Sequence, residues 1–254
     1  MLWIGKATGR LIFLLLGISL ALSACGGSGG SENSKSPPNE PPLSNNEPLP
    51  APSFKTGTVV GEVKFVGLAP IPRVFTVNKD SQVCGNEKKS EELVVDANGG
   101  VKNAVVSIVG AKGPGPKSSA KPILDQKGCR FQPHVLVIPA GSEVDILNPD
   151  GVLHNIRTFS TLNQPVNKAQ PKFKKVMREK FDKPEIIRVQ CDAHSWMSGW
   201  IVVSEHPYYE VTNEQGAFRI EGVPQGTWTI SMWHEKLGAL ETKGTVKAGE
   251  VSKV

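Results

Sequence analysis

From residue 57 onward, apolar and polar positions alternate with a period of two, the mark of half-buried strands. Val59, Val63 and Phe65 share one face of Thr58–Phe65. Ile187, Val189 and Cys191 share another, as do Trp228, Ile230 and Met232 in Thr227–Trp233. Shorter apolar runs lie at Val101–Val109, Val135–Ile138, Val144–Leu147, Trp200–Val203 and Phe218–Ile220. Most are bounded by turn chemistry, such as Ala97-Asn98-Gly99-Gly100, Pro139-Ala140-Gly141 and Asn148-Pro149-Asp150-Gly151. The pattern predicts an all-β sandwich or barrel. Lys172–Phe181 is the single stretch with helical character, and its apolar positions are sparse.

Composition agrees with strands. The 254 residues hold 26 Gly and 20 Pro, a load that disfavours a helix bundle. The length allows one or two domains. One long apolar run exists, at the extreme N-terminus, which excludes a polytopic membrane protein. The formal charge of +5 includes Lys6 and Arg10 of that terminus, so the body carries too small and dispersed an excess for a nucleic-acid partner. Basic residues do concentrate over 168–188, with eight bases against three acids. That segment reads as a solvated strand edge, or as a docking face for an acidic redox partner.

The N-terminus is an address. Lys6 and Arg10 precede an apolar run, Leu11–Leu22, that is short for a bilayer span. Leu22-Ser23-Ala24-Cys25 then resembles the bacterial lipobox. The resemblance implies a signal peptide over 1–24 and acylation at Cys25, a two-chain anchor strong enough to hold a protein on a membrane. Gly26, not Asp, follows the cysteine, which implies the periplasmic side of the outer membrane, or the cell surface in an organism with a single membrane. Residues 25–53 are rich in Pro, Ser, Asn and Gly and lack aromatics, so they are expected to be a disordered tether.

Export sets the cysteine arithmetic. With Cys25 assigned to lipid, Cys84, Cys129 and Cys191 remain in an oxidising compartment. Either one stays buried and inert, or one has another task. Cys191 is the candidate for a task, because Cys191-Asp192-Ala193-His194-Ser195-Trp196-Met197 places a His three residues on and a Met three further. Cys84 and Cys129 are then expected to pair. Upstream, Asn148 to Asn155 is a second loop that carries His154. One thiolate, two imidazoles and a weak thioether form the ligand set of a blue-copper electron-transfer site. No nucleophile elbow, phosphate loop or open metal triad accompanies it, so no enzymatic activity is expected. His134 reads as an ordinary strand-edge residue, and His206 and His234 carry no assignment.

Residues 127–204 resemble a cupredoxin. Phe131 to Val137 with Ala140-Gly141-Ser142-Glu143-Val144 is similar to the opening hairpin of that family, and Cys191 to Met197 has the short amicyanin-like ligand spacing. The resemblance implies a Greek-key sandwich holding one copper ion. In it His154, Cys191 and His194 would be equatorial ligands and Met197 the axial one. Asn155 would pin the loop beside the sulfur, and Trp196 and Trp200 would collar an exposed edge of His194 where electrons leave. It also implies a periplasmic redox partner.

Val211-Thr212-Asn213-Glu214-Gln215-Gly216-Ala217-Phe218-Arg219-Ile220 through Ile230 resembles a second family, the carboxypeptidase regulatory-like or carbohydrate-binding-like (prealbumin-like) sandwich. Its early strands would lie upstream of the copper segment. The expected organisation is a split sandwich, 54–126 plus 205–254, with the cupredoxin inserted at 127–204. Domains in series are the alternative. The last strand, near Gly244–Val246, looks short. The expected function is an anchored single-electron carrier. The rival readings are a metal-free module binding carbohydrate or protein, and a copper delivery or storage protein.

Overall fold

The computed structural model describes residues 55–113, 115 and 120–254. Cys25, the signal segment 1–24 and the whole tether 25–53 lie outside the described residues.

The chain is all-β, with one helical turn, Ser81–Cys84, among the described residues. Four main sheets are arranged as two pairs. In the first pair, Thr56–Glu62 lies between Ala217–Pro224, antiparallel, and Val251–Lys253, parallel. Facing it, Tyr209–Val211, Val105–Val109, Gly226–His234 and Gly238–Val246 form a four-stranded sheet in that order. Val59, Ile220 and Val223 meet Ile108, Ile230 and Val246 between them.

The second pair is built from the middle of the chain. Val135–Pro139, Ser198–Ser204, Glu185–Gln190, His154–Thr158 and Asn167–Gln170 make a five-stranded sheet. Val176–Phe181, Ser142–Leu147 and Ile123–Asp125 make a three-stranded one. Alternation decides which side chains enter the space between them. Ile187 and Val189 are buried while Arg188, between them, is exposed. Leu124, Ile146, Phe181, Ile156 and Ile201 are fully buried there, each stabilising the fold by about 1.5–3 kcal/mol through apolar burial. A small hairpin, Val74–Thr76 with Glu87–Lys89, brackets the helical turn, and its neighbours Val77 and Cys84 pack into this same core. Trp200 meets Trp233 edge-on at 5.1 Å in an apolar cluster shared by the two sheet pairs. Across the same seam the buried His134 bonds Glu235, so its imidazole is a paired group rather than a free strand edge.

Three expectations need correction. Lys172–Phe181 holds no helix: Val176–Phe181 is a strand antiparallel to Ser142–Leu147. Its buried residues, Met177 and Phe181, stand four apart, a spacing that a helix and a strand both place on one face. The late strand is nine residues, Gly238–Val246, and pairs along its whole length with Gly226–His234. Most of its side chains are exposed, so it carries no apolar signal. Val101–Val109 is interrupted at Asn103, which has a positive φ of 66°, and the strand proper is Val105–Val109.

Candidate metal centre

Two turns meet at one end of the five-stranded sheet, one leading into His154 and one running from Cys191 to Met197. Glu185–Gln190 runs antiparallel to His154–Thr158, with Gln190 opposite Arg157. The end of the first strand therefore lies beside the start of the second. Cys191 follows one directly and His154 opens the other, so His154 is the first residue of a strand and not part of a loop. The connection from Cys191 to Met197 folds back on itself. The Met197 N–H donates to the His194 carbonyl at 3.0 Å, and the Cys191 N–H donates to the Met197 carbonyl at 3.1 Å.

These turns bring His154, Cys191 and His194 together, with donor atoms all within 4.8 Å of one another. All three are fully buried, and Met197 is buried in the same apolar cluster. The Asn155 N–H points at the Cys191 sulfur at 3.3 Å. The Asn155 side chain accepts the Asp192 N–H at 3.1 Å and donates to Asn167 at 2.9 Å, which ties the two ligand-bearing turns together. Burial pushes the Cys191 thiol up, against N–H donors from Asn155, Ala193 and His194 that favour the thiolate. Burial also pushes His154 down, opposed by its bond to Asp150.

The imidazoles have a common orientation. His154 Nε2 is 2.9 Å from an Asp150 oxygen, and His194 Nε2 is 2.9 Å from an Asp80 oxygen. Carboxylates only accept, so both Nε2 atoms carry protons. Both Nδ1 atoms then present lone pairs, and they face each other at 3.1 Å with the Cys191 sulfur 3.8 Å from the His194 nitrogen. Two facing acceptors in a buried space need a shared proton or a cation. Two imidazole nitrogens and one sulfur fit a borderline or soft transition-metal ion.

Trp196 lies 5.1 Å from the His194 ring. Trp200 packs on Trp233, in a different apolar cluster from the one that holds Cys191 and Met197. The edge of His194 expected to be exposed is closed, with the ring fully buried beneath Asp80. Cys84 and Cys129 form a disulfide, with Cα atoms 5.3 Å apart. Asp80 and Asp150 were not identified from the sequence as part of the centre. Asp150 had a signal, since it lies in the turn that leads into His154, four residues before the histidine. Asp80 had none, being 114 positions from its partner.

No family model matches the chain, and no curated protein matches it. Solved structures do. A copper-containing nitrite reductase from Thermus scotoductus SA-01 is 26% identical over 39% of this chain and 25% of its own, at a TM-score of 0.32. A purple cupredoxin from Nitrosopumilus maritimus is 21% identical over 33% of this chain and 100% of its own, at 0.29. A reduced amicyanin variant is 15% identical over 39% of this chain and 98% of its own, at 0.31.

Proposed function

We propose that this chain is an exported, lipid-anchored carrier of single electrons, with one copper ion held by His154, Cys191 and His194 and weakly by Met197. The observation that carries the reading is the inward-facing pair of Nδ1 atoms, 3.1 Å apart beside the Cys191 sulfur, with both outer nitrogens committed to carboxylates. Bound copper would supply a one-electron couple between Cu(I) and Cu(II). The rest is the work of the chain. Its sheet edges and the closed Cys191–Met197 turn hold the donors in one geometry, so little reorganisation accompanies the transfer. Burial keeps water from the sulfur, and the Asn155 N–H stabilises charge on it.

Under the same reading Cys25 fixes the chain to the periplasmic face of the outer membrane, or to the cell surface in an organism with one membrane, and residues 25–53 give it reach. The partner is a periplasmic redox protein. The sandwich formed by 54–126 and 205–254 serves as a spacer or docking module around the copper-bearing segment 127–204, and its family resemblance keeps a glycan ligand as the alternative use. A delivery protein would need its ligands to be reached easily, and the buried ring of His194 argues for retention.

Adding Cu(II) to the purified full-length chain should give an intense visible thiolate-to-copper band, lost in Cys191→Ser. A colourless wild type with no bound copper would overturn the carrier reading. A coloured protein that yields its copper to a chelator within seconds would point to delivery.

A further inference from the structure

The disulfide and the two carboxylates around the cluster form a closed circuit. Starting from His194, the outer nitrogen meets Asp80 at 2.9 Å. The Asp80 carbonyl accepts the N–H groups of Val83 at 2.9 Å and Cys84 at 2.8 Å, which fixes the turn Ser81–Cys84 to it. Cys84 is bonded to Cys129. The Cys129 N–H donates to Asp150 Oδ2 at 2.7 Å, and the Gly128 N–H donates to Asp150 Oδ1 at 2.7 Å. Asp150 Oδ2 closes the circuit on the outer nitrogen of His154 at 2.9 Å. Trp196 adds a cross-tie, since its indole N–H donates to the Cys129 carbonyl at 3.3 Å while its ring lies 5.1 Å from His194.

The backbone is strained where the circuit turns. Three non-glycine residues among those described have positive φ, and two of them are Asp80 at 52° and Cys129 at 54°. Such a conformation is unfavourable for a side chain larger than glycine. Hydrogen bonds to both residues offset that cost. Apolar burial does not explain a carboxylate turned inward over a buried ring.

Resting on the reading of the cluster as a copper centre, we propose that Asp80 and Asp150 are positioning residues for the two imidazole ligands, and that the Cys84–Cys129 disulfide holds the two carboxylates as one clamp. Each carboxylate keeps its ring in the Nε2–H tautomer, aims Nδ1 at the sulfur, and makes that nitrogen a stronger donor. The clamp also covers the outer edge of His194, which slows metal exchange. Asp80 is the more informative member, because it reaches the cluster from a segment unrelated to the ligand turns.

The test compares full-length wild type with Asp80→Asn and Asp80→Ala. In metal-free protein, nitrogen NMR of the histidine rings should show His194 as the Nε2–H tautomer in wild type and as a mixture in Asp80→Ala. Asp80→Asn keeps an acceptor oxygen without the charge and should retain the tautomer. After loading with Cu(II), a chelator should strip Asp80→Ala about 10- to 100-fold faster than wild type, the range for loss of a ligand's outer hydrogen-bond partner, with Asp80→Asn between them. Unchanged tautomer and unchanged stripping in Asp80→Ala would overturn the positioning role. The Asn variant decides the point if Asp80→Ala fails to fold, because equal stripping in wild type and Asp80→Asn together with a lost tautomer would also contradict it. A wild type that takes up no copper would end the carrier reading instead, while the metal-free tautomers would still judge the clamp.

Discussion

The outer ring nitrogen of His194 lies 2.9 Å from a carboxylate oxygen of Asp80, a residue 114 positions earlier in the chain. So long a reach holds only if the segment around Asp80 is fixed, and the bond between Cys84 and Cys129 fixes it, closing a loop with a sequence separation of 45. In chain-entropy terms a loop of that size contributes about 4 kcal/mol. The double variant Cys84→Ala with Cys129→Ala should therefore lose about 3–4 kcal/mol in urea unfolding. A loss below about 1 kcal/mol would mean that the strap adds little to the fold.

A second carboxylate anchors a loop away from the cluster. Glu185 accepts the N–H groups of Leu162 and Asn163 at 3.1 and 3.0 Å and the Asn163 side-chain amide at 2.9 Å, together with donors on Thr161. Burial alone would push this carboxyl up, but the converging donors outweigh it and hold the group at about 2, against an ordinary 4.5. The folded value is depressed, so the stabilisation is fully present above 4.5 and is lost as pH falls toward about 2. The group sits at a solvated rim, which reduces the stabilisation to about 1–2 kcal/mol. Glu185→Gln should cost that much at neutral pH. The gap between the two proteins in acid titrations of stability should narrow below pH 4.5 and vanish near 2.

Gly216 is irreplaceable for a steric reason. Its φ is +76°, and a Cβ there would lie 2.4 Å from the Val63 carbonyl oxygen and 2.7 Å from the Val101 nitrogen. Both neighbours are backbone and are themselves paired, since the Val63 N–H donates to the Gly216 carbonyl and the Val101 N–H to the Val63 carbonyl. Gly216→Ala must therefore separate strands as well as strain the turn. We expect a loss of at least about 2 kcal/mol, seen as a clear fall in the thermal midpoint, whereas Gly238→Ala, with φ +76° but open space around it, should cost about 1 kcal/mol.

How much of this was legible in the sequence depended on distance along the chain. Ile187 and Val189, on either side of Arg188, announced their strand, and Cys191, His194 and Met197 lay in one short run. His154 was found because the turn-rich run Asn148 to Asn155, upstream of that segment, carries it. Strands without an apolar stripe were invisible, as in Gly238–Val246, whose side chains are mostly exposed. The strand Val176–Phe181 was ambiguous because two buried residues four apart suit either periodicity. The exposed edge of His194 was an expectation carried by the cupredoxin resemblance, and no residue near it in sequence contradicted it. Its cover arrives from Asp80, a contact set by a disulfide and not by any local pattern.

Met197 allows the copper reading to be probed without disturbing the fold. Its backbone closes the ligand turn in both directions, to His194 and to Cys191, so the turn does not depend on the side chain. The side chain is buried among apolar neighbours, where exchange of Met for Leu conserves volume and costs less than about 1.5 kcal/mol. Met197→Leu should therefore fold, take up copper and keep the thiolate band, because the sulfur of Cys191 and both imidazoles are untouched. A weak axial thioether donates to Cu(II) more than to Cu(I), and its removal should raise the reduction potential. A redox titration with parallel electron paramagnetic resonance spectra would read this directly. Spectra and potential identical to wild type would show that the thioether stands outside the coordination sphere and that three donors alone define the centre.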